Sequence, residues 1–154
     1  MLGELTPREV EDLLRSEFTG RIGCHAEGRT YVVPITYVYQ GGYVYCHSAE
    51  GGLKLQLMRK NPDVCFEVDR VTDMGNWKSV IASGRYEELG GRHAIEAMDI
   101  LIGRFAGVEH PERAHPSYVL RAADTEPARA DGREIVLFRI HLADKTGRFQ
   151  RTPA

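Results

Sequence analysis

The sequence predicts a mainly β chain of the α+β class, in which six antiparallel strands form a small barrel with peripheral helices. Six segments are rich in β-branched and aromatic residues, with apolar residues at alternate positions. Short turns join several of these segments, which favours antiparallel hairpins. Six twisted strands of this length favour closure over an open sheet with two exposed edges.

Length and composition predict a single domain over residues 1–154, because 154 residues with 42% hydrophobic and 27% charged residues can bury a core. The net charge of −2 predicts no general attraction to nucleic acid or membranes. The three cysteines, an odd number, favour a reducing compartment over a disulfide framework. No apolar run approaches the ~18 residues of a membrane span, and the first residues lack a signal-peptide pattern. We therefore expect a cytoplasmic protein.

The first helix is predicted by a capping box, in which Thr6 precedes a proline and Glu9 stands three residues later. Apolar residues then follow at helical spacing, and Thr19-Gly20 ends the helix. The apolar positions are Val10, Leu13, Leu14 and Phe18.

Two strands come next, Arg21–His25 and Arg29–Gln40. Pro34 cannot donate to a ladder, so it marks a sheet edge, a bulge or interrupted pairing. Gly41-Gly42 predicts a two-residue hairpin into the strand Tyr43–His47. One face of the longer strand carries Tyr31, Val33, Ile35, Tyr37 and Tyr39.

The segment after that hairpin predicts a binding site for an anion. Ser48–Gly52 has turn composition, Leu53–Lys60 is helical, and Val64–Val68 is again a strand. A helix start presents unpaired backbone N–H groups beside a positive dipole end. With Lys54 in the first turn, this is a candidate phosphate site.

The rest of the chain predicts a turn-like linker at Val71–Asn76 and a long strand at Trp77–Leu89. Gly84 within that strand indicates a bulge or a close backbone approach. An amphipathic helix at Arg92–Phe105 precedes a long surface excursion at His110–Arg133. A last strand follows at Glu134–Leu142, with Val136, Phe138, Ile140 and Leu142 on one face.

The chain contains no P-loop, GxGxxG or HExxH motif, so a Rossmann nucleotide site and a zincin are unsupported. Cys24-His25 and Cys46-His47 have ligand-type side chains, but neighbours on a strand point to opposite faces. We therefore expect buried cysteines and no metal site. Ser48 lacks a nucleophile context, and capping a helix or contacting a ligand explains it equally well. For His47, a cofactor contact and an edge histidine are equally weighted.

Four segments together resemble the pyridoxamine 5′-phosphate oxidase-like family of FMN-binding split barrels. They are YVVPITYVYQGGYVYCHSAEGGLK at Tyr31–Lys54, NPDVCFEVD at Asn61–Asp69, WKSVIASGRYEEL at Trp77–Leu89 and ADKTGRFQR at Ala143–Arg151. The order and spacing of these segments carry the likeness, since each motif alone is loose. The branch that this chain most resembles contains the nitroimidazole-resistance flavoproteins.

The resemblance implies a six-stranded split barrel and a homodimer with FMN at the subunit interface. The V-P-I-T strand would line the isoalloxazine ring, and Cys46 and His47 would close on the ring or the ribityl chain. Leu53 and Lys54 would hold the phosphate, with Ser48 beside it. The ring-lining residues are Val33, Pro34, Ile35 and Thr36, and Ser79 and Val80 would contact FMN from the second subunit.

The chain departs from the family members that make pyridoxal phosphate. Those enzymes carry a basic residue at the Thr36 position and a Ser-Arg-Lys run where Gly52-Leu53-Lys54 stands, so pyridoxamine phosphate oxidation is not expected. Fewer cations also weaken the phosphate site, which Arg29 or Arg148 is a candidate to complete.

The expected function is an FMN-dependent oxidoreductase that reduces a small organic acceptor such as a nitro compound or a quinone. The flavin would do the redox chemistry, and His47 or solvent would deliver the proton. Two alternatives stay open. One is a non-catalytic flavin or haem carrier, with His47 as a haem ligand; the other is a deazaflavin-dependent reductase on the same barrel.

Overall fold

Nine strands and three helices make up the described part of the chain, which is residues 1–106, 129–130 and 133–153 of the computed structural model. The helices are α1 (Pro7–Ser16), α2 (Leu53–Lys60) and α3 (Gly91–Phe105). The strands are β1 (Leu2–Glu4), β2 (Thr19–Ala26), β3 (Arg29–Thr36), β4 (Val38–Gln40), β5 (Tyr43–Ala49), β6 (Asp63–Asp73), β7 (Asn76–Leu89), β8 (Arg129–Ala130) and β9 (Arg133–Gln150).

The strands pair antiparallel in the order β3-β2-β6-β7-β9-β5-β4, and β1 and β8 pair with β9. The predicted class, a mainly antiparallel barrel with peripheral helices, is confirmed. The number six was wrong, because β1 and β8 are additional strands and the segment Arg29–Gln40 is two strands rather than one.

Tyr37 divides that segment. Its backbone N–H donates to the carbonyl of Phe18 at 3.0 Å, the next position in the β2–β3 register, and its hydroxyl donates to the carbonyl of Leu14 at 2.7 Å. The ring is fully buried. Beyond Tyr37 the chain leaves β2 and enters β4, which ends the sheet at its opposite side.

Strand β9 is twice as long as the predicted Glu134–Leu142 and includes the tail that resembles the family's closing strand. It pairs with β5, β7 and β1 in turn along its length. The bend that this requires lies at Asp144, with φ +48°, beside a register shift between Ile81 and Ser83. Gly84 is a close approach rather than the bulge, since a Cβ there would lie 2.4 Å from Ile140 Cγ2.

The turn-like linker predicted at Val71–Asn76 is present but shorter, because β6 continues to Asp73 and β7 starts at Asn76. Asp73 closes the short turn by accepting hydrogen bonds from the N–H of Gly75 at 2.8 Å and from Asn76 Nδ2 at 2.9 Å. The predicted excursion His110–Arg133 lies outside the described residues, apart from β8 and the start of β9.

The predicted helices are all present. Thr6 and Glu9 form the capping box of α1 through bonds of 3.2 and 2.8 Å, but α1 ends before Phe18. α2 has the predicted bounds, and α3 starts one residue earlier than predicted. Within the described ranges, no helix combines the length and apolarity needed to cross a bilayer.

Two apolar clusters hold the fold together. The main core fills the barrel and takes side chains from α1 and α2, among them Leu14, Leu55 and Met58. The second cluster packs α3 against the outer face of β5 and β9, through Leu101, Phe105, Tyr45 and Leu137. The inward and outward faces of β5 are therefore both covered.

Candidate functional site

The barrel is interrupted between its two terminal strands. β3 pairs only with β2, and β5 pairs with β4 only through Tyr43–Tyr45, so Cys46–Ala49 has a single neighbour, β9. Both free edges border the same main core, to which β3 contributes Ile35 and β5 contributes Cys46. We call this interruption, bounded by the free edges of β3 and of Cys46–Ala49, the seam.

The four predicted ring-lining residues lie on the free edge of β3 and alternate between its two faces. Val33 is half-buried and Ile35 buried, both against the main core, whereas Pro34 is exposed and Thr36 half-buried. A side-chain wall from all four residues is therefore not formed. What they share is an unpaired backbone edge, in which Pro34 supplies a carbonyl and no N–H.

Cys46 and His47 lie on opposite faces of β5. Cys46 is fully buried in the main core, and burial raises the pKa of its thiol, so it is a neutral core residue. His47 is half-buried and pairs with Leu137, which belongs to the cluster under α3. Only one of the two side chains can therefore face a given ligand. In the described part of the chain, no group of three His, Cys, Asp or Glu side chains could hold a metal ion.

The start of α2 follows the free end of β5 directly. Gly52 is its N-cap, and no side chain caps the first turn. The first helical bond runs from the N–H of Gln56 to the carbonyl of Gly52 at 3.2 Å. The hydroxyl of the buried Ser48 lies 3.7 Å from where a Cβ on Gly52 would be, and its own bond to the carbonyl of Ala49 is long, at 3.5 Å. Donor groups of turn and helix thus converge here.

Lys54 stands in that first turn, half-buried, and makes no hydrogen bond or ion pair with any described residue. Burial lowers the pKa of its ammonium, and the neighbouring Cys46 only partly opposes this. Lys60, at the other end of α2, instead pairs with Glu27 at 2.8 Å. A desolvated cation without a counter-ion is a preformed place for an anion.

An arginine clamp, which the sequence analysis missed, fixes this turn. Arg59 donates two hydrogen bonds from Nη1 and Nη2 to the two carboxylate oxygens of Glu50, at 2.6 and 2.8 Å. Its Nε donates a third to Glu88 at 2.7 Å. These bonds hold the pKa of both carboxyl groups below their usual range. Glu50 lies in the β5–α2 turn, so the clamp ties this turn to the end of α2 and to β7. The signal in the sequence was Glu50 in the predicted turn and Arg59 near the end of the predicted helix.

Ser79 and Val80 lie in a different part of the chain from Lys54. Val80 is fully buried in the main core, whereas Ser79 is half-exposed and pairs with Arg148 of β9. The strand β9 meets the end of β5 at Ile135, thirteen residues before Arg148. Ser79 and Arg148 therefore belong to a different part of β9 from the end of β5 that leads to Lys54. Arg29 is exposed at the start of β3.

Ser79 belongs to the outer face of β2, β3, β6 and β7, the face turned away from the main core. Two apolar side chains stand out on it, Val32 at 65% and Ile81 at 55% exposure. Val32 shares a cross-strand row with small or short residues, Gly23, Cys65 and Ser83. Ile81 lies in the next row, beside Glu67 and Arg21, and Arg21 lies 3.4 Å from both Glu67 and Asp69. We call this the outer face.

A split barrel with a candidate anion site beside its seam is the architecture of a small ligand-binding protein, and similarity to known proteins identifies the family. The chain belongs to the pyridoxamine 5′-phosphate oxidase family, whose model matches residues 6–149. This confirms the family expected from the motifs.

A curated relative, an uncharacterized protein of Rhizobium meliloti (strain 1021), is 34% identical over 85 residues, which are 55% of this chain and 56% of that protein. The chain thus matches about half the length of this relative.

Solved structures share the fold over nearly the whole chain. A FAD-binding protein from Mesorhizobium loti is 26% identical, with a TM-score of 0.74 and coverage of 99% of this chain and 98% of that one. A FAD-binding protein from Mycobacterium smegmatis has 24% identity, a TM-score of 0.63 and coverage of 97% and 100%. A proposed 5-nitroimidazole antibiotic resistance protein from Bacteroides thetaiotaomicron has 17% identity, a TM-score of 0.70 and coverage of 97% and 87%. The last two show the fold alone.

Replacing Lys54 by Met should stabilise the flavin-free protein at pH 7 by up to about 1 kcal/mol, the low end of the cost of an unsatisfied buried polar group. Folding lowers the pKa of the Lys54 ammonium from 10.5. Burying the charged lysine therefore costs its full free energy at pH values below the lowered pKa, and this cost falls to zero as the pH rises from the lowered pKa to above 10.5. Urea unfolding at pH 7 and at pH 10.5 measures it. The ion-paired, exposed Lys60→Met is the matched control and should shift stability by no more than about 0.5 kcal/mol. A Lys54→Met variant less stable than the wild type at pH 7 would show that the ammonium is already satisfied.

Proposed function

We propose that this protein is an FMN-binding homodimeric oxidoreductase that reduces a small organic acceptor, such as a nitro compound or a quinone. The observation that carries the proposal is Lys54, a half-buried ammonium without a partner among the described residues, at an uncapped helix start. Supporting it is the FAD-binding protein from Mesorhizobium loti, which shares the fold at 26% identity.

The residues around Lys54 fit a terminal phosphate. A phosphate monoester carries nearly two negative charges and three acceptor oxygens. Lys54 offers the charge, the first turn of α2 offers backbone N–H groups, and the Ser48 hydroxyl adds a donor nearby. One cation and one helix start suit the single terminal phosphate of FMN better than the bridging pyrophosphate of FAD, so we choose FMN.

The flavin ring fits the seam. The free edge of β3 provides backbone groups for the polar edge of the ring, and Val33 and Leu53 border the same core with apolar side chains. The ring and the phosphate of one flavin would then lie on the two sides of the seam. When bound, the flavin supplies the electrons; the chain orients it, and solvent or His47 supplies the proton.

The second subunit would dock on the outer face. Val32 and Ile81 expose apolar surface that one chain leaves uncovered, and the small residues in the row of Val32 allow close approach. Ser79 lies on the same face, and we place its contact with the partner's flavin there. We place this homodimer in the cytoplasm, each chain forming one domain.

The purified protein should absorb near ~450 nm and release FMN on denaturation. Lys54→Ala should weaken FMN binding by roughly 1.5–3 kcal/mol, the value of a hydrogen bond to a charged group. Lys60→Ala, on the same helix but paired with Glu27, should leave the affinity unchanged. Titration of flavin fluorescence measures both variants.

Turnover is tested on the same protein. After photoreduction without oxygen, a nitro compound should restore the absorbance faster than it reoxidises free reduced FMN. Equal rates would make the protein a flavin carrier. A colourless protein that ignores added FMN would reject the proposal, and release of FAD would correct the cofactor.

Ile81→Glu should convert the dimer to a monomer and weaken FMN binding with it, because an unpaired carboxylate would be buried in the interface. The control is Ile95→Glu on α3, where the side chain is equally exposed, at 54% compared with 55%. Light scattering gives the oligomeric state, and we expect the dimer constant to weaken by at least about tenfold. A monomeric Ile81→Glu protein that binds FMN as tightly as the wild type would contradict a shared site.

A further inference from the structure

The turn between β5 and α2 is held by hydrogen bonds on both of its sides. The N–H of Glu50 donates to the carbonyl of Glu134 at 2.8 Å, at the next position of the β5–β9 register. On the other side, the Gln56 side chain donates to the carbonyl of Gly51 at 3.1 Å. Gly51 has φ +86°, a backbone conformation that favours glycine. Strand β9 and helix α2 therefore fix the backbone of this turn.

Arg59 joins the turn to the barrel. It lies in the last turn of α2 and binds Glu50, which precedes the helix, so the clamp spans the whole length of α2. Its third hydrogen bond goes to Glu88 on β7. Glu88 also accepts a hydrogen bond at 2.7 Å from the hydroxyl of Tyr86, a buried residue of the main core. Arg59 thus links the turn to a carboxylate that a core side chain holds in place.

The two cations at the ends of α2 have different partners. The Nε, Nη1 and Nη2 atoms of Arg59 all donate to carboxylates, and the two negative charges of Glu50 and Glu88 surround its single positive charge. Lys54, in the first turn, makes no hydrogen bond or ion pair with any described residue. Lys54 is therefore available to an anion, whereas Arg59 is committed to the turn.

We propose that Arg59 is a positioning residue for the phosphate of the bound flavin, on which it acts through Glu50 and the turn without touching it. The clamp sets where the first N–H groups of α2 point and where Lys54 stands. A displaced helix start would lose several phosphate hydrogen bonds at once. The clamp joins the turn, α2 and β7, whereas the flavin ring would lie against β3, so the effect is specific to the phosphate. This role rests on the proposed function; the hold of Arg59 on the turn does not.

The first test compares FMN with riboflavin, which has the same ring and no phosphate. Arg59→Gln should weaken FMN binding about tenfold and riboflavin binding less than about twofold, in titrations of flavin fluorescence. The side chains of Arg59, Glu50 and Glu88 are 36%, 43% and 41% exposed, so losing the clamp should cost little stability, and melting temperatures check this. The matched control is Arg139→Gln. Arg139 also binds both carboxylate oxygens of one glutamate, but between β7 and β9, and its loss should leave both affinities unchanged.

Glu50→Ala separates position from charge, because removing the Arg59 charge would by itself weaken FMN binding. Glu50→Ala removes a negative charge from the turn before the phosphate site, so an effect of charge alone would strengthen binding. We expect weaker FMN binding instead, again about tenfold. Adding Arg59→Gln to this variant should change the affinity little, since the two side chains act as one unit.

The hold of Arg59 on the turn is tested without flavin. In the flavin-free protein, Arg59→Gln should speed hydrogen exchange about fivefold or more at the amides of Glu50 and Gln56, which bond the carbonyls of Glu134 and Gly52. Arg139→Gln should leave these two rates unchanged.

Three results would overturn the proposal: unchanged exchange in Arg59→Gln, equal weakening of FMN and riboflavin binding, or tighter FMN binding by Glu50→Ala. A wild-type protein that binds no FMN would reject the proposed function and this role with it. The exchange rates would still decide whether Arg59 holds the turn, so the two failures are distinguishable.

Discussion

The site depends on one electrostatic constraint, an ammonium group at Lys54 that is held partly out of water without a counter-ion among the described residues. Such a group costs free energy in the isolated chain and recovers it when an anion arrives. The turn before Lys54 also holds the carboxylate of Glu50, which is engaged by Arg59 with two hydrogen bonds while Glu88 takes a third. The turn between β5 and α2 is thereby fixed, and Lys54 with it.

The same region shows why the barrel is open where it is. Tyr37 still bonds Phe18 in the β2–β3 register, and only the three residues of β4 pair with β5, which leaves the end of β5 unpaired on one side. The free edge of β3 borders the same core. Unpaired backbone beside an apolar core is expensive unless water or a ligand satisfies it. The proposed flavin would supply both the polar partners and the apolar cover.

Local signals were enough to predict α2 and the capping box of α1, because both depend on residues within one or two turns of each other. The division at Tyr37 could not be predicted, since its bonds reach Leu14 and Phe18 from a distant position in the sequence. The alternation of side chains along a strand was enough to predict that Cys46 and His47 lie on opposite faces of β5. The distance between Ser79 and Lys54 needed the pairing order of the sheet, which no local pattern contains.

We propose that each flavin is held by two chains, with its phosphate on Lys54 of one and its ring near Ser79 of the other. A crystal structure of the FMN-bound protein tests this directly. We predict a phosphate oxygen within hydrogen-bond distance of Lys54 Nζ, about 2.7–3.2 Å, and the flavin ring in the seam against the outer face of the second copy. A phosphate bound at Arg148, or a complete flavin site within one chain, would contradict the account.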